Sequence, residues 1–397
     1  MIDFGKADPM VPAGASIKVL GVGGAGGNTV NSIIESGYQG IEYVVANTDA
    51  QALELSKAHV KVQIGVKSTK GLGAGADPNI GKRAAEEDLD KITAALENAD
   101  IVFLTGGMGG GTGSGALPVI ARALREKNIL TIAIVTKPFM FEGKRRARCA
   151  QEAIELLSKE IDTLIVIPNQ KLLDVVEHNV SMIDAFTMIN EVLGQSVRSI
   201  TDIITKYGYI NVDFSDVRTI MKDRGLAVMG TGRSSGQSRA HKAAIQAISS
   251  PLLENMSIAG AQAVLLNVTG GKSLGLHEIS EAAQVIYDQA HEDANIILGS
   301  VIDDTLDQEV VVTIIATGFG DQPHHHASNS SNDSQQAPSP AISAAVSSPI
   351  KPAVQEAAPA PSHLASGPYD AHKFDAGSDF DLDIPTFLRK KQDEEQF

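Results

Sequence analysis

The sequence predicts an α/β protein with a parallel, Rossmann-like sheet, a long central helix, a smaller C-terminal α/β domain, and a disordered linker that ends in a tail motif. Three observations predict this architecture. Short β-rich segments alternate with helical ones from Ile17 onward, one amphipathic stretch is much longer than the rest, and the composition changes sharply after Gly320. Such alternation is typical of parallel strands joined by crossover helices.

Six short runs in the first half are predicted to be buried strands, because they are apolar almost throughout. They are IKVLGV (17–22), YVVAN (43–47), VKVQIG (60–65), IVFLTG (101–106), ILTIAIVT (129–136) and TLIVIP (163–168). Helical segments such as NTVNSIIESG, PNIGKRAAEEDLDKITAALENA and LPVIARALREKN lie between them. Ligands of such folds bind at the carboxyl edge of the sheet, so we expect the loops after these strands to form the site.

A long amphipathic helix is predicted after the sixth strand. Its apolar residues recur at steps of three and four and so form one stripe: Val180, Ile183, Phe186, Ile189, Leu193, Val197, Ile200 and Ile204. A core-facing helix explains most of them, and the length suggests a rod between two domains. Four further strands follow in LAVMGTG, AVLLNVTG, NIILGSVI and VVVTIIAT, and the acidic loop between the last two predicts a mixed or antiparallel sheet there.

Composition and charge narrow the class of protein. The chain has 397 residues, a formal charge of −15 and one cysteine, Cys149. An acidic surface argues against nonspecific binding to nucleic acid or anionic lipid. A single cysteine excludes an internal disulfide, and no run is apolar and long enough to span a membrane. These features predict a soluble, cytoplasmic protein. The Ser-, Ala-, Pro- and Gln-rich stretch after Gly320 is predicted to be a disordered linker.

Two glycine-rich loops follow predicted strands. GVGGAGGN (21–28) satisfies G-x-G-x-x-G, which taken alone favours a dinucleotide such as NAD. GGMGGGTGSG (106–115) has a strand before it and a helix after it, which argues against a flexible spacer. Glycine N–H groups and a helix N-terminus form an anion-binding concavity. With GLGAGADP (71–78), these loops can surround a nucleoside triphosphate.

No Walker-type motif is present, and no lysine is placed by motif to neutralise the phosphates. We therefore expect backbone dipoles and a divalent cation, Mg²⁺ with oxygen and water ligands, to neutralise them.

The second loop resembles the phosphate-binding signature G-G-G-T-G-[ST]-G of the tubulin/FtsZ family. Further segments are similar to bacterial cell-division members of that family, in the same order and over nearly the whole chain: IKVLGVGGAGGN, VVANTDAQAL, GLGAGADPNIG, TKPFMFEGKRR, NVDFSDVRTIM and DIPTFLRKK. The resemblance implies a GTPase that binds GTP and GDP, polymerises head to tail, and forms the cytokinetic ring at midcell on the inner face of the membrane.

The resemblance also implies the nucleotide contacts. Three loops would contact the phosphates and ribose. The first is Gly24, Ala25, Gly26, Gly27 and Asn28, the second is Ala74 and Gly75, and the third is Gly111, Thr112, Gly113 and Ser114. Glu142 and Arg146 would lie near the ribose and phosphates. Phe186 would stack on guanine and Asn190 would read its edge. Residues four apart are neighbours on one helical face, which fits this pair, although Phe186 could equally be a core residue.

Hydrolysis needs a group that positions water, and NVDFSD supplies Asn211, Asp213 and Asp216. By itself this segment could be only a helix cap. It lies about 27 residues after Phe186, up to ~40 Å at helical rise, so it cannot easily reach its own nucleotide. The resemblance implies that the loop enters the pocket of the next subunit, where the two carboxylates orient water and help to hold the cation.

The tail motif DIPTFLRKK resembles the family's docking site for membrane-tethering adaptors such as FtsA and ZipA. The resemblance also implies other division regulators as partners.

Two alternatives to the GTPase are an NAD-dependent oxidoreductase and a filament protein that binds nucleotide without hydrolysing it.

The predicted domains are a flexible N-terminal tail (1–15), a GTP-binding domain (16–178), the central helix with the catalytic loop (179–217), a C-terminal α/β domain (218–319), the linker (320–379) and the adaptor-binding motif (380–397).

Overall fold

The structure is a computed structural model that describes residues 15–173, 180–206, 210, 212–253 and 258–319. The predicted linker and tail motif, nearly all of the predicted N-terminal tail, and Asn211 lie outside these residues. Within them, no helix has both the length and the apolar character that crossing a bilayer requires.

Ten strands of the described residues form one mixed sheet. They are β1 (Ile17–Val22), β2 (Glu42–Asn47), β3 (Val60–Gln63), β4 (Ile101–Gly107), β5 (Leu130–Lys137), β6 (Thr163–Pro168), β7 (Gly225–Ser235), β8 (Ala263–Gly270), β9 (Asn295–Ile302) and β10 (Glu309–Thr317). Their order across the sheet is β3-β2-β1-β4-β5-β6-β7-β10-β8-β9. Only β10 is antiparallel to its neighbours, β7 and β8. The mixed character predicted for the C-terminal strands is confirmed, although β9 and β10 do not pair with each other.

Twelve helices pack against this sheet in the described residues. They are α1 (Gly23–Glu35), α2 (Ala50–Glu54), α3 (Val66–Thr69), α4 (Pro78–Glu87), α5 (Leu89–Ala95), α6 (Thr112–Glu126), α7 (Lys144–Leu157), α8 (Asn169–Leu173), α9 (Met182–Thr205), α10 (Phe214–Met221), α11 (Arg239–Ile248) and α12 (Leu276–Tyr287).

Two helices differ from the prediction. The single helix expected after Pro78 is two helices, α4 and α5, which meet at Asp88, and the Asp88 carboxylate accepts a hydrogen bond from the Gly65 N–H at 2.8 Å. Helix α1 begins at Gly23, inside the first glycine motif rather than after it. The N-terminus of α1 is therefore made of glycine backbone.

The smaller C-terminal α/β unit that the sequence predicts contributes β7 to β10, and these strands continue the same sheet. Strand β7 pairs in parallel with the start of β6, where Thr163 is opposite Gly225. The apolar stripe of α9 is confirmed in its middle, where Ile189 and Val197 are buried, but Ile183 in its first turn is 77% exposed. The N-terminal end of α9 thus projects beyond the core, beside the loops that follow the strands.

Candidate functional site

A cavity of about 430 Å³ opens at the carboxyl edge of the parallel strands. Residues from β1, β4 and β5, the loops that follow them, and α9 line it: Val22, Gly23, Gly24, Ala25, Asn28, Gly107, Met108, Gly110, Gly111, Thr112, Gly113, Thr136, Pro138, Glu142, Arg146, Asn169, Phe186, Ile189, Asn190 and Leu193. Ten of the residues nominated from the sequence are among them. The tertiary structure therefore brings the two glycine loops and the base-reading pair to one place.

Two helix N-termini meet at this cavity, and neither has a side-chain cap. Helix α1 starts at Gly23 after Val22, and α6 starts at Thr112 after Gly111. The first N–H groups of a helix have no partner within the helix, and they carry the positive end of its dipole. Their convergence makes the cavity a binding site for an anion such as a phosphate chain.

Close packing of the loops requires glycine at several positions, of which Gly111 and Gly107 are examples. A Cβ atom on Gly111 would lie 2.8 Å from the Ala74 Cβ and 2.9 Å from the Asp77 backbone nitrogen. A Cβ on Gly107 would lie 2.9 Å from the Ala25 Cβ. The signature loop is therefore held tightly between its neighbours, and the flexible-spacer interpretation does not apply to it.

The charges of the cavity wall balance each other. Glu142 and Arg146 are the charged side chains among the described lining residues, and they form an ion pair one helical turn apart. The other carboxylate oxygen of Glu142 accepts a hydrogen bond from the Phe139 N–H at 2.8 Å, which fixes its position. Among the described residues, no group of three or more His, Cys, Asp or Glu side chains could hold a metal ion. The wall thus binds anions mainly through backbone dipoles.

An aromatic ring and an amide from α9, Phe186 and Asn190, also line the cavity. The Phe186 ring is partly exposed and contacts the Phe139 ring edge-to-face, with 5.5 Å between centroids. One turn further along α9, the Asn190 amide oxygen accepts a hydrogen bond from the Thr29 hydroxyl at 3.2 Å. Thr29 lies on α1, so the helix that begins in the first glycine loop also orients Asn190.

Sequence reasoning missed Asn169. Its side chain lines the cavity and is 5% exposed, and its Oδ1 atom has no hydrogen-bond partner in the described part of the chain. A buried amide oxygen without a partner is costly, so this atom is suited to a ligand that supplies a donor. One signal was available, because Asn169 directly follows the predicted strand TLIVIP at the carboxyl edge.

Five nominated residues are not among those that line the cavity: Gly26, Gly27, Ala74, Gly75 and Ser114. The Ser114 hydroxyl accepts a hydrogen bond from the Gly109 N–H at 2.8 Å and thereby shapes the signature loop. A Cβ on Gly26 would lie 2.5 Å from the Thr105 carbonyl oxygen, so Gly26 allows α1 to approach β4 closely. Their direct contact with a ligand remains a prediction.

The nominated catalytic acids that the structure describes are not among the residues that line the cavity. Asp213 is the N-cap of α10, and its Oδ1 atom accepts a hydrogen bond from the Asp216 N–H at 2.9 Å, so the capping alternative describes a real contact. Both side chains are exposed. The C-terminal end of α10 is tied to the start of β6 by a hydrogen bond from the Thr163 hydroxyl to the Met221 carbonyl. Asn211, the third candidate, lies outside the described residues.

Comparisons with known proteins agree with this geometry. The sequence matches a family model described as the Tubulin/FtsZ family GTPase domain over residues 16–177, and one described as the FtsZ family C-terminal domain over residues 225–320. An empty FtsZ dimer from M. jannaschii is 44% identical, with a TM-score of 0.73 over 77% of this chain and 88% of that one.

Two proteins from Haloferax volcanii share the fold at lower identity. CetZ1, a GDP-bound monomer, is 23% identical, with a TM-score of 0.68 over 78% of this chain and 96% of that one. CetZ2, a GTPγS-bound protofilament, is 21% identical, with a TM-score of 0.65 over 77% and 94%. These similar structures are archaeal, so the resemblance to bacterial sequences stays a prediction.

Proposed function

The chain belongs to the tubulin/FtsZ family and is a tubulin-like GTPase of the cytoskeleton, and from this premise we propose that it assembles head to tail into filaments in which each hydrolytic site is shared by two subunits. The cavity would bind GTP, and Asp213 and Asp216 of the next subunit would complete it. The FtsZ relative is a dimer, and the CetZ2 relative is a protofilament.

One observation carries this proposal, namely the distance between the cavity and the acids. Helix α9 borders the cavity near its N-terminal end, at Phe186 and Asn190. The helix has 24 residues and spans about 36 Å. Asp213 follows its C-terminal end and is not among the residues that line the cavity. Carboxylates beyond that end of the helix would not reach a nucleotide in the cavity of the same subunit, but a head-to-tail contact would bring the two together.

The cavity would recognise GTP in two parts. The phosphate chain would lie against the N-termini of α1 and α6, with the Thr112 hydroxyl as an additional donor. The base would stack on Phe186, while Asn190 and the unpaired Oδ1 of Asn169 would bind the hydrogen-bonding edge of guanine, whose N–H groups are donors. Mg²⁺ would enter with the nucleotide, held largely by phosphate oxygens and water, and would neutralise the triphosphate charge.

In the assembled site, the incoming carboxylates would act on water. Asp213 and Asp216 would accept hydrogen bonds from the attacking water and orient its oxygen toward the γ-phosphorus. The water oxygen would bond to that phosphorus as the bond to the β–γ bridging oxygen breaks, and the water would lose a proton to a carboxylate or a phosphate oxygen, which gives GDP and inorganic phosphate. Positioning and electrostatics dominate such reactions. Isolated subunits would therefore bind GTP but hydrolyse it slowly.

The surface around the cavity is suited to a second copy of the chain. Three well-exposed large apolar side chains lie within three residues of cavity-lining ones in the chain: Met140, Phe141 and Ile183. The Phe141 ring stacks on Phe139 with 4.9 Å between centroids, so it is held in place rather than free. Clustered exposed apolar side chains usually mark an interface, because water solvates them poorly. Burying them against the next subunit would drive assembly.

At the level of the cell, we assign the filaments to the cytokinetic ring at midcell, on the inner face of the membrane, in the cytoplasm. Adaptors of the FtsA and ZipA kind would tether them through residues 380–397, and division regulators would control assembly. These assignments rest on the sequence motifs in DIPTFLRKK and on the family.

The proposal is tested by measuring phosphate release and light scattering together at several protein concentrations, with GTP, GDP, ATP or NAD. We expect GTP-specific turnover per subunit to be near zero at low concentration and to rise above a threshold where scattering also rises. Turnover per subunit that is independent of concentration would contradict the shared site.

A matched pair of variants tests the apolar surface. Phe141→Glu should raise the assembly threshold, because it places a charge in the contact between subunits. Leu156→Glu is the control, since Leu156 is similarly exposed on α7 and is not among the residues of the cavity. Equal assembly thresholds for Phe141→Glu and Leu156→Glu would contradict the assignment of Phe141 to the interface between subunits.

A further inference from the structure

We propose that Thr48 is a positioning residue for GTP binding: its buried hydroxyl donates a hydrogen bond to Thr112 and so directs the Thr112 proton toward the phosphates. Thr48 directly follows β2 and is not among the residues that line the cavity. The Oγ1 atoms of Thr48 and Thr112 are 2.7 Å apart, which is the length of a good hydroxyl–hydroxyl hydrogen bond.

Burial determines which hydroxyl donates. Thr48 is 0% exposed, and Thr112 is the partner of its hydroxyl in the described part of the chain. If Thr112 donated the bond, the Thr48 proton would be buried without an acceptor, which is a costly arrangement. Thr48 therefore donates, and the Thr112 proton is left for the cavity. A phosphate oxygen is an acceptor only, so this is the orientation that a nucleotide requires.

The backbone of Thr48 holds a second loop of the site. Its carbonyl oxygen accepts hydrogen bonds from the Gly73 N–H at 3.3 Å and from the Thr69 hydroxyl at 3.2 Å. Gly73 immediately precedes Ala74, whose Cβ packs against Gly111 at the start of the signature loop. One residue thus joins the loop expected to meet the γ-phosphate to the loop that carries Thr112.

A purely structural role for Thr48 predicts something different. If the hydroxyl only stabilised the fold, its loss would lower the stability of the ligand-free protein and would leave the contribution of Thr112 to nucleotide binding unchanged. If it orients the Thr112 proton, the two threonines act as a unit, and their effects on affinity are not additive.

The experiment is a double-mutant cycle on the full-length chain, with GTPγS as the probe, below the assembly threshold. Thr48→Val removes the hydroxyl at nearly constant shape, and Thr112→Ala removes its partner. Thr48→Ser should restore affinity. Thr105→Val is the matched control, because Thr105 is also 0% exposed at the end of a strand and its hydroxyl has no partner among the described residues. Thermal unfolding without nucleotide measures each variant's stability.

We expect Thr48→Val to weaken GTPγS binding about fivefold, the effect of one hydrogen bond, and Thr48→Ser and Thr105→Val to bind like the wild type. In the Thr112→Ala background, Thr48→Val should have little further effect. Additive losses, or a loss equal to that of the control, would overturn the inference. The inference rests on the proposed nucleotide site, and the experiment distinguishes failure of the Thr48 role from failure of that site. If wild type and Thr112→Ala bind GTPγS equally, the assignment of Thr112 to the nucleotide site is wrong.

Discussion

Asp213→Asn separates the two roles that the structure allows for Asp213. The carboxylate caps α10 through its hydrogen bond with the Asp216 N–H. Asparagine caps a helix about as well as aspartate, so this substitution retains the cap and removes only the charge. If the carboxylate polarises water in the neighbouring subunit's site, GTP turnover in filaments should fall by about 10²- to 10⁴-fold, the usual contribution of a general base.

The distance within the subunit sets the second expectation. Asp213 follows the C-terminal end of α9, which at helical rise lies about 29 Å from Phe186 in the cavity wall. The affinity of unassembled Asp213→Asn for GTP should therefore equal that of the wild type. Asp213→Ala is the companion variant: it should lose the same activity and, in addition, about 1 kcal/mol of folding stability, because the cap is lost.

The assay is phosphate release per subunit above the assembly threshold, combined with nucleotide binding below it and urea unfolding. Wild-type turnover in Asp213→Asn would mean that Asp213 is only a cap. Weaker GTP binding by the unassembled variant would place Asp213 in its own subunit's pocket and refute the shared site.

Three further predictions concern single contacts. Arg239 is 5% exposed and donates hydrogen bonds to the Glu278 carboxylate. Arg239→Met should lower the free energy of unfolding, measured in urea, by about 3 kcal/mol, because Glu278 loses its cationic partner. Hydrogen bonding from Arg239 lowers the pKa of Glu278. The stabilisation of the fold by this ion pair is therefore complete above the unfolded-state pKa of Glu278, and it is lost as the pH falls through the folded-state pKa. Arg239→Met should lack this loss of stability at acid pH. Asn169→Ala should weaken GDP binding about tenfold without destabilising the free protein, because it removes an unpaired buried oxygen; a destabilised free protein would assign Asn169 to the fold instead. Ser300→Ala should destabilise the protein by about 1 kcal/mol, since the Ser300 hydroxyl accepts the Ile210 N–H at 3.0 Å, and an unchanged urea midpoint would contradict this.

The strands and the glycine loops could be predicted from the sequence because their signals are local. Runs of apolar residues indicated β1, β4 and β6 within one or two residues of their ends. The break between α4 and α5 was not predicted, because the segment from Pro78 onward reads as one helix, and the bond from Gly65 to Asp88 at the break joins residues 23 apart in the chain. The exposure of the first turn of α9 could not be predicted either. Periodicity shows which residues share a face of the helix, but it does not show how much of that face packs against the core.

The candidate site likewise has features that local sequence signals predict and features that depend on the tertiary structure. By itself, the sequence predicted parallel strands in the first half of the chain, an anion-binding character for the two glycine loops, and a separation along one helix between the proposed acids and the proposed base-binding pair. Strand patterns, glycine spacing and helical rise are properties of neighbouring residues, so these signals are local. Only the tertiary structure decided that the N-termini of α1 and α6 meet at one cavity, that Asn169 lies in its wall with a free oxygen, and that Thr48 bonds to Thr112, 64 residues further on. These contacts depend on the order in which the strands pair, and that order is set by the packing of the whole chain.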